Sequence, residues 1–213
     1  GSPRWKFGEV SIYLLCANYP NINSRYKNEK SLVLMVEYKG VKLVLTGDAE
    51  ANTENYIMNT NYNTNPAFLR SFGLKLGHHG SQNGSSDDWL KALGAKTYFA
   101  SGDQKWGHPY CSVLGRVVKN GTVIKNPSFK HGFVCGTYNS ITKDYDWTSH
   151  ADSVYIFSTL YIIQEIKNAF GARQSWSANG TNIGFWVNDS GEVQLGMSDN
   201  LPGDPTSSGY FNP

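Results

Sequence analysis

Nowhere in the chain does an apolar run approach the ~18 residues of a membrane-spanning helix, and the opening residues lack the shape of a signal peptide. No membrane segment is expected, and the compartment stays open. Cysteine is scarce. Cys16, Cys111 and Cys135 are odd in number, form no Cys-x-x-Cys pair and mostly lie among apolar neighbours. That argues against a disulfide framework and for buried thiols. Nor does one sign of charge dominate: 19 basic against 17 acidic residues leave a net +2. So small an excess makes no case for nucleic acid on charge alone. No internal repeat is visible.

What is present describes a folded protein. The 213 residues, 39% hydrophobic and 14% aromatic, suffice for one domain with a core, and 22 glycines and 8 prolines imply many turns. Residues 1–125 read as alternating strand and helix. "EVSIYLLCA" (9–17) and "SLVLMVEY" (31–38) are strands, and Gly40 turns the second into "VKLVLTGD" (41–48) as a hairpin. Helical segments over 50–58 and 66–72 precede a short strand, "GLKLG" (73–77). In "GSSDDWLKALG", Ser86 is a helix N-cap, Asp87 and Asp88 suit the positive end of the dipole, and Gly94 suits the exit. "KTYFAS" (96–101) is another strand, and Pro109 starts a helix through Val118. The pattern is that of an α/β layered domain, whose ligands sit at the carboxyl ends of its strands.

From 126 the texture changes, and 126–213 reads as an extension completing the same domain. Ile156, Leu160, Ile163, Ile166 and Phe170 have helical spacing, which predicts a helix near 154–170, although "VYIF" serves equally as a strand. Residues 181–197 predict a hairpin turning at Asn188–Gly191, followed by a loose Pro/Gly/Ser-rich tail. The aromatic residues of 133–161 suit core or interface packing better than base stacking, because few basic residues interleave with them.

Three strand ends carry the residues of chemical interest. Asp48 follows a Thr-Gly pair at the end of one strand, His78 and His79 end the next with Gly80 behind them, and His108 follows the third. Alone, each is an ordinary turn residue or cap. Together they deliver a carboxylate and imidazoles to one edge of one sheet, which is ligand chemistry for zinc, manganese or iron. His131 and His150 have no comparable context, and structural or solvent-exposed roles are expected of them.

"NEKSLVLMVEYKGVKLVLTGDAE", "LKLGHHGSQNGSS" and "WGHP", in that order, resemble the second half of a metallo-β-lactamase-fold hydrolase. The likeness is to the branch of ComEC-like competence hydrolases and phosphorylcholine esterases, and it covers roughly residues 5–120. The resemblance implies an αββα sandwich, two mixed sheets packed between helices, with metals at one edge. It implies Asp48 as the carboxylate bridging two cations, His108 as the last histidine ligand and Asn28 as a ligand or site-facing residue. His78 and His79, with Ser81 alongside, would face the substrate, one touching phosphate or protonating the leaving group. His79 as a ligand is the alternative.

Such enzymes take most of their ligands from an HxHxDH motif in the first half, and none occurs among the five histidines here. Asp48 and His108 alone would hold an ion weakly, since tight zinc sites need three or four protein ligands. The reading is therefore the C-terminal part of a metal-dependent hydrolase acting on phosphodiesters or related esters, with a metal-bound hydroxide in the full-length protein. One or two divalent ions belong to the complete site. This chain alone would be weak or inactive, and the expectation extends to its binding no ion by itself. The missing half would come from the same protein or a partner subunit, and an isolated half-domain would tend to self-associate. The alternative is a non-catalytic interaction domain that kept the scaffold without a working metal centre. A third reading is a nuclease subunit, with Lys75, Lys91, Lys96 and Lys105 along a nucleic-acid path; steep weakening by salt would test it.

Overall fold

The structure is a computed structural model; it describes residues 2–19, 27–101, 108–121, 133–139, 141, 144–150, 155–158, 161–166, 173–177 and 182–198. Its centre is a mixed sheet of seven strands. In chain order these are β1 (Trp5–Phe7), β2 (Val10–Cys16), β3 (Val33–Tyr38), β4 (Val41–Leu45), β5 (Gly73–Lys75), β6 (Thr97–Ala100) and, after an excursion, Tyr155–Ser158. β1 to β4 form an antiparallel meander, whereas β4–β5, β5–β6 and β6 with Tyr155–Ser158 pair in parallel. The change at β4 fixes the site's position. Parallel neighbours end on the same edge, so the loops after β4, β5 and β6 emerge side by side.

Local chemistry explains most of these elements. Lys39 and Gly40 both take positive φ, 49° and 79°, which gives a two-residue turn matched to the twist of β3 and β4. Helix α1 (Ala51–Tyr56) follows the Asp48 loop, α2 (Asp87–Leu93) lies between β5 and β6, and α3 (Cys111–Asn120) follows β6. The Ser86 side chain caps α2 by accepting the Trp89 N–H, and Gly94 ends it in the left-handed region at φ 52°.

Val33 and Met35, Leu74 and Leu76, and Tyr98 and Ala100 alternate along their strands onto one face of the sheet. There they form one core with Ile57, Leu69, Trp89, Leu90, Leu93, Val113, Leu114 and Val117. Phe99 points the other way and meets Phe185, as does Phe72, at centroid distances of 5.8 and 5.9 Å. The sheet thus lies between helices and a hairpin. This bears out the α/β layered, mixed-sheet class. Cys16 is a buried free thiol, and burial pushes its pKa up, with Glu29 adding to the effect.

Beyond α3 the described segments are extended. They are β7 (Phe133–Asn139), β8 (Asp144–His150), β9 (Tyr155–Ser158), β10 (Tyr161–Ile166), β11 (Arg173–Ser177), β12 (Asn182–Val187) and β13 (Val193–Ser198). β7–β8, β10–β11 and β12–β13 are antiparallel pairs. The helix expected near 154–170 is corrected: the described residues there are β9 and β10. Tyr155, Ile156 and Phe157 are strand-favouring residues, and the open edge of β6 outweighs an apolar spacing that also fits a helix. The β12–β13 pair turns through Asn188–Gly191, where the Asn188 carbonyl accepts the Gly191 N–H. His131, Lys105 and the tail from 199 lie outside the described residues, and for His150 only the strand position is described. Edge strand β1 exposes Trp5 and Phe7. Among the described residues no helix is long and apolar enough to cross a membrane.

Candidate active site

After β4 the chain turns at Gly47, φ 56°, where a Cβ would press on Ser31. The Asp48 N–H donates to Ser31 Oγ at 3.0 Å, so the turn is fixed against the segment leading into β3. After β5, His78 and His79 both adopt left-handed backbone conformations, φ 46° and 58°, and Gly80 follows at φ 84°. Such conformations cost on the order of 1–3 kcal/mol each for ordinary residues and persist only where the surroundings impose them. Here His78 N–H donates to Gly47 O at 3.2 Å, Ser81 N–H to His78 O at 2.8 Å and Tyr110 N–H to Gly80 O at 2.9 Å. A side chain at Gly77 would collide with the Ala49 carbonyl, and one at Gly80 with Pro109. Arg116 of α3 donates to the carbonyls of Gln82, Gly84 and Ser85 and closes the loop from outside.

Two buried carboxylates support these loops from beneath. Glu29 accepts the N–H groups of Asn52 and Thr53, the first turn of α1, and the Thr53 hydroxyl. Glu54 accepts the N–H groups of Ser85 and Ser86 at the start of α2. Burial raises the Glu54 pKa above the ordinary carboxylate range, and the two backbone N–H groups oppose that rise. Lys75 is turned inward, its Nζ donating to Gly47 O at 2.9 Å and Leu76 O at 3.3 Å. Burial lowers its pKa and nearby Asp48 works the other way. Lys75 is therefore a brace between the two loops rather than part of an open basic path, and Lys96 lies over the Phe72 ring.

The three imidazoles gather on this edge. Ring centroids of His78 and His108 are 5.4 Å apart, His78 and His79 6.1 Å, and His79 and His108 6.2 Å with nearly parallel planes. His108 is buried and also packs against Tyr110. His79 Nδ1 lies 2.7 Å from the carbonyl oxygen of Ser101, just past β6, and 2.9 Å from its hydroxyl. A carbonyl only accepts, so Nδ1 carries a hydrogen, and in the neutral ring the lone pair is then on Nε2. That Nε2 lies 3.4 Å from Asp48 Oδ1. Two electron-rich atoms face each other, an arrangement that calls for a proton or a metal cation between them. The Nδ1–H···O=C contact is the usual outer support of a metal-binding histidine.

Asn28, in the turn before β3, donates to Glu50 Oε1 at 3.1 Å, and its Nδ2 lies 3.2 Å from His78 Nδ1. Glu50 Oε1 is itself 3.0 Å from His78 Nδ1. Asn28 is thus engaged with Glu50 and His78, while Asp48 is brought to His79. Ser81 is buried and bonds to His78 through its backbone. Sequence reasoning missed Glu50, Ser101, Glu54 and the inward turn of Lys75. Glu50 stands two residues past Asp48, where an acid at a helix start reads equally as a dipole partner.

As a metal site the donor set among the described residues is partial. Two donors on one tetrahedral zinc, with bonds of ~2.0–2.1 Å, lie about 3.4 Å from each other, so Asp48 and His79 fit two ligand positions. Among the described residues no group of three His, Cys, Asp or Glu is placed to hold an ion.

No family model matches the chain. It is 32% identical over 108 residues to ComE operon protein 3 of Bacillus subtilis, covering 50% of this chain and 13% of that protein. It is 29% identical over 112 residues to Recombination protein 2 of Haemophilus influenzae, covering 50% and 13%. With Competence protein ComA of Neisseria gonorrhoeae it shares 34% over 121 residues, covering 55% and 16%. The chain thus spans between 13% and 16% of the length of these relatives. Over about half of its own length, its homologues are competence and recombination proteins.

Proposed function

We propose that this chain is the C-terminal part of a metallo-β-lactamase-superfamily hydrolase that cleaves phosphodiesters or related esters, with residues 126–213 completing the same domain. The observation carrying this reading is the Asp48–His79 pair: 3.4 Å apart, with Nε2 left as the lone-pair nitrogen. Recombination, in the name of one relative, concerns polynucleotides, whose backbone is a phosphodiester. A divalent ion at this edge would supply polarisation of a phosphoryl oxygen and activation of water. Asp48 and His79 would hold it, with further donors from another segment or a partner chain. His78 faces the same edge and moves protons at Nε2; buried His108 walls the site; Lys75 keeps the Asp48 and His78 loops in register.

Zinc titration of the chain and of Asp48→Ala and His79→Ala, together with turnover of bis-p-nitrophenyl phosphate, tests the reading. Wild type should bind zinc weakly, each variant at least about tenfold more weakly, and turnover should be near background until an HxHxDH segment is supplied. Zinc affinity identical in all three proteins would overturn it. That result would favour the second reading, a non-catalytic interaction domain, for which the missing third donor among the described residues speaks.

A further inference from the structure

We infer that Glu50, steadied by Asn28, is a positioning residue that fixes His78 with its ring hydrogen on Nδ1, leaving the Nε2 lone pair for the substrate side. The inference deepens the hydrolase reading and rests on it for His78's role, but not for the geometry. Three atoms meet at this point: His78 Nδ1, Glu50 Oε1 and Asn28 Nδ2, separated by 3.0, 3.1 and 3.2 Å. A carboxylate only accepts and an amide nitrogen only donates. Were Nδ1 to accept from Asn28, its lone pair would face the Glu50 carboxylate at 3.0 Å. With the hydrogen on Nδ1, both His78 and Asn28 donate to Oε1, and the contact to the anion is charge-assisted.

The position of Glu50 in the fold supports this role. It is the N-cap residue of α1, yet its side chain makes no cap hydrogen bond. Glu29 takes over, accepting the Asn52 and Thr53 N–H groups. Asn28 and Glu29 are consecutive, so one short turn both caps the helix and clamps the carboxylate released from capping. Glu50 and His78 are also the less exposed pair at the site, at 15% and 26% of side-chain surface, against 42% and 40% for Asp48 and His79.

The consequence is a polarity. With its hydrogen on Nδ1, His78 presents Nε2 as an acceptor, able to take a hydrogen bond from a water or hydroxyl on the substrate side.

Nitrogen-15 long-range correlation spectra of the 213-residue chain, taken where the rings are neutral, read this directly. His78 should show a protonated Nδ1 and a bare Nε2. Glu50→Ala should reverse the assignment, and Asn28→Ala should leave it unchanged. A wild-type His78 with its hydrogen on Nε2, or an unchanged Nδ1–H in a folded Glu50→Ala, would overturn the inference. The wild-type spectrum decides even if a variant fails to fold. Because no turnover is read, failure here is separable from failure of the hydrolase reading.

Discussion

Beneath the site and at its mouth lie two pairs of acidic residues with opposite roles. Glu29 and Glu54, on the inner side, are buried and accept backbone N–H groups at the starts of α1 and α2. Asp48 and Glu50, at the mouth, face the ring nitrogens of His79 and His78. All four are carboxylates within 26 residues of sequence, from 29 to 54, yet one pair holds loops and the other addresses imidazoles. A carboxylate's role follows from its partner. Backbone N–H groups consume its acceptor capacity internally, whereas a histidine passes the interaction on through its second nitrogen.

Removing an inner carboxylate should therefore destabilise the fold more than removing an outer one. Glu54→Ala strands the N–H groups of Ser85 and Ser86 in a buried place, at ~1–3 kcal/mol each. A loss of about 3 kcal/mol or more in denaturant titration is expected, against a smaller loss for Glu50→Ala. Equal losses would break the distinction between the two pairs. The next effect is one of pH. Because burial raises Glu54 above its ordinary 4.5, the unfolded chain releases that proton first as pH rises. The unfolded state then binds fewer protons than the native one, so stability falls with pH from about the ordinary value up to the raised one, and is level above it. The stability of wild type minus that of Glu54→Gln should decline over that window. A difference that grows with pH would show that the two N–H groups outweigh burial.

The same contrast explains what could be read from sequence. The Gly40 hairpin, the Ser86 cap and the Gly94 exit are local, each set by a few neighbours, and all three appear where the residues put them. Asp48, His78 and His79 stood out because parallel strands bring their ends together, a consequence of topology that sequence order already hints at. Glu50 was hidden because its task depends on Glu29, 21 positions earlier, taking over the helix cap. Ser101 was hidden more completely, since it contributes a main-chain carbonyl that any residue possesses. The strands at 155–158 and 161–166 were obscured by an apolar spacing compatible with either period, and pairing decides: the first lies on the edge of β6 and the second on β11.

Ser101 also gives the finest test of how the outer acids and histidines are held. His78 is oriented by a side chain and His79 by the backbone, so the two should respond differently to truncation of the orienting residue. Ser101→Ala keeps the carbonyl at 2.7 Å and removes only the hydroxyl at 2.9 Å. Removing an outer partner of a metal-binding histidine commonly costs ~10–100-fold in affinity; here zinc binding should weaken by less than about threefold. His79 should keep its hydrogen on Nδ1 in the nitrogen-15 spectrum, in contrast to His78 after Glu50→Ala. If Ser101→Ala weakened zinc binding as much as His79→Ala, the hydroxyl rather than the end of β6 would orient the ring. The strand end would then lose its part in building the site.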